Sequence, residues 1–524
     1  MSIKESGDKK VLPIGLKQIL LLLGLALAVV AIAIFAGPVL SLVEKVAVSS
    51  GGSYALAVMF LLSVAVPIWF MLLVRGNYLR ALGLQILLLP LTYRALSVIS
   101  IPAYDDGTFV QRISLTTFML LMFWLWLLFT KVSMARHPVL RVFEILLLMF
   151  GMLTTISQLA NHTFSSAILL SIGGAWQFIA LFYILCSVVR EGKDVELLLK
   201  CIAWAFIIAI IDRIGYGGEG FLVHAPADLS QISPHALAGE FVRVGSGAFG
   251  FAQSYGGYLS FVSILELYFV QSAPSRWWAV LWIITILTLI FEMFNTFTRG
   301  ATLALLFVSM LLLWRETRRF FMKIVMVIGI LMFTWLGTLL VDLATVRQLE
   351  LTPGFLLSDP NSVSRMDLYV QSLPHFFDNW GLGYGIGKPL IFYTDGVGEA
   401  VSHNTIFDLS QGVGGLATVL FLLMFFIALK HLYQTTKRAA AAREARLSIY
   451  MFVGLAGWFF FANTTSTSLV YYYPYEATLI FYTVMFLAIL MPTLKGMRTD
   501  SVLAGQAVRQ RSLPEARKYG YAAR

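Results

Sequence analysis

The chain has 524 residues, of which 59% are hydrophobic and only 13% are charged. Soluble domains are about 45–50% apolar and about 25% charged, so this composition excludes a soluble enzyme, a disordered chain and a fibrous protein. The formal net charge is +10, which in a membrane protein is first a signal of orientation and not of nucleic-acid binding. Cys186 and Cys201, both in apolar runs, form neither a disulfide framework nor a metal-ligand spacing.

Long apolar runs along the chain predict an all-α, polytopic bundle of transmembrane helices. A helix needs about 20 apolar residues to cross a bilayer, and the first such run is too long for a signal-peptide core and lacks a clear cleavage site. We predict about fourteen spans, within a range of roughly twelve to fourteen. In chain order they are 16–38, 54–74, 79–101, 113–130, 140–160, 167–189, 197–213, 246–270, 277–297, 300–314, 321–341, 412–433, 448–465 and 470–491.

The basic residues predict which side of the membrane each loop occupies. Both tails and every second loop are rich in Lys and Arg, whereas alternate short loops such as 161–166 contain few. By the positive-inside rule the basic loops and both termini are cytoplasmic. The basic loops contain Arg75 and Arg80; Lys131, Arg136 and Arg141; Arg190 and Lys193; Arg276; Arg315, Arg318, Arg319 and Lys323; and Lys437, Arg438, Arg443 and Arg446.

Two external segments, 212–245 and 342–412, are too long to be simple connections. Loops of that length in a compact protein are usually functional. The predicted organisation is a cytoplasmic tail (1–15), N-terminal transmembrane helices (16–213), central transmembrane helices with the first external loop (214–341), a large external loop (342–411), C-terminal transmembrane helices (412–492) and a basic cytoplasmic tail (493–524).

Three external arginines, Arg243, Arg299 and Arg365, stand in suggestive contexts. The planar guanidinium group suits bidentate binding of phosphate oxygens, so these residues are candidates for holding an anionic substrate. For each of them the alternative is a snorkelling side chain or a surface salt bridge. Position alone does not single them out, because the same side also holds Arg112, Arg213 and Arg347.

His403 and Asn404 end the large external loop, just before a predicted span. A histidine can act as a general base near neutral pH, because its ordinary pKa is about 6.5. The alternative is an interfacial histidine that caps or bridges the start of a helix. Other external histidines are His162, His224, His235 and His375.

A glycine-rich turn, with Gly383, Gly385 and Gly387, precedes this pair. A phosphate-binding turn would need a strand before it and a helix after it, and the sequence predicts neither. We interpret it as a tight turn with a close backbone approach. Trp380 and Tyr384 could stack on sugar rings, although aromatic residues at a membrane interface are the simpler explanation.

Four charged residues lie within predicted spans: Arg94, Glu144, Glu266 and Glu292. Such residues often mark substrate or ion pathways in transporters. Most lie within about two turns of a predicted end, where snorkelling would explain them. Arg94 and Glu292 remain candidates for a functional charge.

Four segments, in order, resemble the O-antigen ligase and Wzy-type polymerase superfamily of bacterial envelope glycosyltransferases. They are Arg243-Val-Gly-Ser-Gly-Ala-Phe-Gly, Thr298-Arg-Gly-Ala-Thr-Leu-Ala-Leu, Arg365 with Asn379-Trp-Gly-Leu-Gly-Tyr-Gly385, and Ser402-His-Asn-Thr-Ile-Phe-Asp-Leu-Ser-Gln-Gly-Val-Gly-Gly415. The resemblance covers roughly residues 240–430, and Gln411 stands where the family commonly has a glutamate.

The resemblance implies a metal-independent, GT-C-like glycosyltransferase of the bacterial inner membrane with a periplasmic active site. Its donor would be a glycan on undecaprenyl diphosphate and its acceptor a glycan or lipid A–core. Catalysis would depend on His403, Arg243 and Arg299. Substrate binding would involve Arg365, Asn404, Gly383, Gly385 and Trp380.

A polymerase of O-antigen or exopolysaccharide repeats is favoured, because the predicted span count exceeds the twelve often associated with ligases. The alternatives are a ligase that transfers the glycan to lipid A–core or to protein, and a polysaccharide or lipid transporter. Expected partners are membrane lipids, a chain-length regulator and a flippase. No nucleic acid and no cofactor are expected.

Overall fold

The computed structural model describes residues 52–92, 97–102, 110–133, 137–215, 252–295, 299–316, 360–378, 380–386, 391–392, 399–400, 404–438, 442–463 and 476–494. The predicted spans 16–38 and 321–341 lie outside these ranges. The chain forms two compact units, Met1–Asn77 and Tyr78–Arg524.

The described part of the first unit is one helix, α1 (Gly52–Val74), with Pro67 inside it. The helix ends because Gly76 adopts a left-handed backbone, with φ +74°. The amide of Gly76 donates to the carbonyl of Leu73 at 3.0 Å, and that of Asn77 donates to Leu72 at 2.9 Å. This is the double hydrogen bond of a Schellman C-cap, for which glycine is the favoured residue.

The second unit is mostly helical over the residues that the structure describes. Two small antiparallel pairs join strand β1 to β2 and β3 to β4. The helices are α2 (Tyr78–Leu87), α3 (Leu89–Thr92), α4 (Leu115–Phe129), α5 (Pro138–Asn161), α6 (Phe164–Ser171), α7 (Gln177–Val188), α8 (Gly192–Gly215), α9 (Ala252–Gln271), α10 (Arg276–Asn295), α11 (Arg299–Glu316), α12 (Pro360–Asp378), α13 (Thr405–Val413), α14 (Gly415–Arg438), α15 (Ala442–Gly457) and α16 (Glu476–Leu490). The strands are β1 (Ser97–Pro102), β2 (Val110–Ser114), β3 (Ile391–Phe392) and β4 (Glu399–Ala400).

Within the described part of the chain, four helical segments are long and apolar enough to cross a membrane. They are Pro138–Asn161, Phe164–Val188, Arg276–Met293 and Gly415–Lys437. Each coincides with a predicted span to within a few residues. These segments agree with the prediction of a helical membrane protein, whereas the number of spans stays a prediction.

The predicted span 79–101 is wrong over its last residues. The helix is interrupted at Leu88, because Pro90 has no N–H to donate and disfavours a helical conformation in the residue before it. Strand β1 then occupies Ser97–Pro102, with Ile99 of β1 paired to Ile113 of β2. The β-branched residues Val98, Ile99 and Ile101 favour this extended conformation.

A π turn, Ile172–Trp176, separates α6 from α7 within one predicted span. Gly174 has a non-helical backbone there, with φ −100° and ψ −105°. Two adjacent glycines, Gly173 and Gly174, make this distortion accessible because they lack Cβ atoms. The indole N–H of Trp176 then donates to the hydroxyl of Thr155 in α5 at 3.1 Å.

An aromatic core lies between α5, α7, α14 and α16. The ring centroids of Phe178 and Tyr482 are 4.0 Å apart and nearly parallel, and Phe143 contacts Phe182 at 5.3 Å. Phe425 of α14 lies 4.3 Å from Phe459, just beyond α15. Each buried aromatic pair contributes roughly 0.5–1.5 kcal/mol of stability beyond the burial of its area. This core therefore holds these helices together.

One end of the second unit, which we call the charged end, comprises residues 190–200 and Arg443. A guanidinium nitrogen of Arg443 contacts both carboxylate oxygens of Glu196, at 2.7 and 2.8 Å. The Lys200 ammonium lies 3.0 Å from the same carboxylate. Two loops that were assigned to one side of the membrane by their basic residues therefore meet here.

An exposed ion pair completes the charged end. Lys193 lies 2.6 Å from the carboxylate of Glu191, and this hydrogen bond raises the pKa of Lys193 above its ordinary value. The Asp194 carboxylate accepts hydrogen bonds from the backbone amides of Arg190 and Glu191, at 2.8 and 2.9 Å. It thereby satisfies two amides at the start of α8.

Candidate functional site

Asn404 precedes the first residue of α13, and its side-chain oxygen accepts a hydrogen bond from the amide of Ile406 at 2.9 Å. This is the ordinary geometry of an asparagine N-cap. Asn404 is therefore the N-cap of α13, whereas the capping role given as the alternative for His403 stays a prediction. His403 precedes this cap in the sequence and lies outside the described residues.

The far end of α13 meets a turn formed by Trp380–Ile386. Gly414 ends the helix with φ +92°, and the amide of Leu416 donates to the carbonyl of Trp380 at 3.3 Å. A Cβ atom at Gly415 would collide with the Trp380 ring. The Trp380 ring therefore lies directly on the backbone at the start of α14, and Trp380 is still 42% exposed.

Two glycines of the same turn require left-handed backbone, with φ +67° at Gly383 and +89° at Gly385. A Cβ atom at Gly383 would lie 2.6 Å from the carbonyl oxygen of Gln411 and 2.6 Å from the amide nitrogen of Gly414. The amide of Tyr384 donates to Gln411 at 2.7 Å. The interpretation as a tight turn with a close backbone approach is confirmed, and Gly387 lies outside the described residues.

The last turn of α5 holds both the Trp380–Ile386 turn and α13. Ser157 donates to the carbonyl of Gly412 at 3.1 Å, and the side-chain oxygen of Gln158 accepts from the amide of Ile386 at 3.2 Å. The Asn161 amide group donates to the carbonyl of Gly383 at 3.4 Å. We call the turn, α13 and this end of α5 the glycine end.

Ser157, Gln158 and Asn161 were not among the predicted site residues. Ser157 and Gln158 are completely buried. A signal was available, since three polar residues occupy the last turn of an otherwise apolar span. Buried polar side chains are costly unless they are hydrogen-bonded.

Two further histidines lie beside the glycine turn. A Cβ atom at Gly385 would lie 2.6 Å from the Nε2 atom of His162. The rings of His375 and Tyr384 are 5.8 Å apart in an edge-on arrangement. The structure therefore places two of the other external histidines close to the segment that precedes His403.

The structure describes two of the three arginines of the predicted site. Arg243 lies outside the described residues. Arg299 is the first residue of α11 and Arg365 lies in α12, and the structure describes the backbone alone at both positions. Helix α12 contacts α13 through Tyr369 and Phe407, whose rings are 5.9 Å apart.

Helix α13 presents uncharged polar groups and a single acid to its buried side. Thr405, Ser410 and Gln411 are buried, and Asp408 is only 2% exposed. Among the described residues, no group of three or more His, Cys, Asp or Glu side chains could hold a metal ion. Because His403 and much of the external loop lie outside those residues, metal independence stays a prediction.

Charged residues within the predicted spans have separate environments. Tyr183 donates its hydroxyl hydrogen to Glu144 at 2.5 Å, and Glu292 is 4% exposed. Glu266 is completely buried, and neither of its carboxyl oxygens has a hydrogen-bond partner in the part of the chain that the structure describes. Snorkelling is therefore the wrong explanation for Glu266, and Arg94 lies outside the described residues.

Comparison with known proteins gives no family for this geometry. No family model matches the chain, and no curated protein matches it. The resemblance to bacterial envelope glycosyltransferases therefore depends on the four sequence segments and on how the structure arranges the described parts of them.

Proposed function

We propose that the chain is an integral-membrane glycosyltransferase that moves a glycan from undecaprenyl diphosphate to an acceptor hydroxyl. Polymerisation of O-antigen or exopolysaccharide repeats is the favoured activity. The enzyme would lie in the bacterial inner membrane, with about fourteen spans in a GT-C-like arrangement, both termini in the cytoplasm and its active site at the periplasmic face.

One observation supports this proposal above the others. The turn Trp380–Ile386 and the helix that starts at Asn404 belong to two of the four resembling segments, and their backbones are in direct contact through Tyr384 and Gln411. This contact brings the turn that contains the predicted substrate-binding residues Trp380, Gly383 and Gly385 against the C-terminal end of α13, the helix that His403 precedes in the sequence.

The proposed chemistry assigns a separate task to each residue type. Arg243 and Arg299 would hold the diphosphate and stabilise the charge that develops on it, with Arg365 as a third contact. The acceptor oxygen would bond to the anomeric carbon as the bond from that carbon to the diphosphate breaks. His403 would take the hydroxyl proton, and one displacement would invert the anomeric carbon.

The contacts at the two ends support the proposed orientation. The loops before α8 and α15 are basic, were assigned to the cytoplasm and meet at the charged end. The loop 161–166 and residues 380–386 were assigned to the opposite side, and Asn161 contacts Gly383 at the glycine end.

The proposal is tested in a strain that lacks the chain, complemented with variants at equal membrane expression. We expect His403→Ala, Arg243→Ala and Arg299→Ala to lose the surface glycan on a gel ladder. His224→Ala and Arg112→Ala, which alter other external residues of the same types, are matched controls and should keep it. Normal glycan in all three site variants would refute the catalytic assignment.

The same gels separate the alternative activities. Loss of a polymerase leaves single repeats on the final acceptor, whereas loss of a ligase leaves long chains on the undecaprenyl carrier. A transporter that uses buried charge would instead lose glycan in Glu292→Gln or Glu266→Gln while His403→Ala remained normal.

A further inference from the structure

The last turn of α5 contacts two segments that are remote from it in sequence. Gln158 bonds to the amide of Ile386, 228 residues away, and Ser157 bonds to the carbonyl of Gly412, 255 residues away. All of these contacts, including that of Asn161 with Gly383, are made to backbone groups. They fix the position of the backbone itself, whatever side chains the partner segments carry.

The contacts from α5 hold two segments that also contact each other, the Trp380–Ile386 turn and α13. Gly383 and Tyr384 pack against the end of α13 at Gln411 and Gly414, and α5 holds the turn and α13 at the same time. The turn already contacts α13 through Tyr384 and Gln411. The bond of Ser157 to Gly412 adds a direct link between α5 and α13, so the three segments hold one arrangement.

Helix α13 transmits that arrangement to its own start. It has nine residues, and Asn404 caps its first turn, so it behaves as a short rigid rod of about 14 Å. A shift at Gly412 therefore moves the N-cap, Asn404.

We propose that Ser157 and Gln158 are positioning residues, which set the place of the Trp380–Ile386 turn and of α13, and thereby of the predicted substrate-binding residues Gly383 and Asn404. This inference depends on the proposed function for its catalytic part. A displacement of about 1 Å in a catalytic group can lower a rate by up to about a hundredfold. Neither residue needs to touch substrate for this effect.

The test uses the full chain in detergent and in the complemented strain, with Ser157→Ala, Gln158→Ala and the double variant. Ser263→Ala is the matched control, because Ser263 is equally buried and donates only to Leu259 of its own helix, at 2.8 Å. Ser157→Thr keeps the hydroxyl and is the conservative variant. The first measurement is hydrogen exchange of peptides covering 380–386 and 404–413.

We expect the double variant to exchange faster in those two peptides and to make about tenfold to a hundredfold less glycan at equal folded protein. Ser157→Thr should restore both properties towards the wild type, and Ser263→Ala should change neither. Unchanged exchange would overturn the positioning role. Faster exchange with normal glycan would also overturn it, because the contact would then be structural only.

Failure of the proposed function gives a different result. If His403→Ala keeps normal glycan while the double variant exchanges faster and loses glycan, the catalytic assignment of His403 is wrong and the positioning role is supported. If both lose glycan and only the double variant exchanges faster, the two proposals are supported independently.

Discussion

The charged end and the glycine end of the second unit are held together by different chemistry. At the charged end, Glu196 forms ion pairs with Arg443 and Lys200, whose side chains remain 59% and 39% exposed. At the glycine end, uncharged side chains bond to backbone groups, and Gly383 and Gly414 permit contacts that no other residue allows.

This difference indicates where the chain requires accurate geometry. Long charged side chains can adjust their rotamers, and water screens their attraction, so the charged end tolerates small movements. Backbone contacts at left-handed glycines have no such freedom. Helix α13, which the predicted catalytic residue His403 precedes in the sequence, belongs to the end that is built to a fixed geometry.

The largest effect is expected from Gly383→Ala. A left-handed alanine costs about 1–2 kcal/mol, and its Cβ would also lie 2.6 Å from two backbone atoms, so we expect a loss of at least about 2 kcal/mol. Gly381→Ala is the control, since nothing lies within 4 Å of a Cβ atom there. Thermal unfolding in detergent measures both, and equal midpoints would contradict the glycine requirement.

The charged end should respond less, and only at its partly buried pair. Glu196→Gln leaves Arg443 without its partner and should cost about 1–2 kcal/mol, since the guanidinium is largely exposed. Glu191→Gln removes the exposed pair with Lys193 and should cost clearly less than that, because water screens both charges. Unfolding at low and high salt distinguishes them, and equal losses would show that burial of Glu196 has no effect.

Asn404 allows capping to be separated from substrate binding. Asn404→Ala should cost about 1 kcal/mol, because it removes the N-cap of α13, whereas Asn404→Asp keeps an acceptor oxygen and should be stable. Unfolding measures the cap and the glycan ladder measures activity. A stable Asn404→Asp variant that lost glycan would support the predicted contact with substrate, and an unstable one would contradict the capping role.

The smallest effect is expected at Glu266, which is completely buried. Deep burial favours the neutral form of a carboxyl group, and Glu266→Gln replaces it with a neutral group of the same shape, so we expect stability to change by less than about 0.5 kcal/mol. Glu266→Ala is the comparison, because it also removes buried volume and should cost more. A large loss in Glu266→Gln alone would reveal a partner of the carboxylate.

The helices were largely predictable because membrane spans are encoded by composition over about 20 residues. The prediction of 140–160 and the observed Pro138–Asn161 differ by two residues at one end and one at the other. Strand β1 was not predicted, because a short apolar run of β-branched residues does not reveal by itself whether it forms a helix or a strand.

The glycine turn was predictable and its supports were not. Left-handed backbone is a local property, so Gly383 and Gly385 indicate a tight turn from the sequence alone. The partners of Ser157 and Gln158 are 255 and 228 residues away, and no local pattern indicates such a distance. The capping role of Asn404 was available from sequence, because asparagine before an amphipathic segment commonly starts a helix.

The π turn at Ile172–Trp176 has a consequence for changes in chain length. One extra residue in a helical turn rotates everything after it by about 100° relative to a continuous α-helix. The faces that α6 and α7 bury are therefore set by the number of residues between them as well as by their identity. Deleting one residue within this turn is absorbed when the turn becomes α-helical, whereas deleting one residue within α7 rotates the rest of the span out of phase with its neighbours by about 100°.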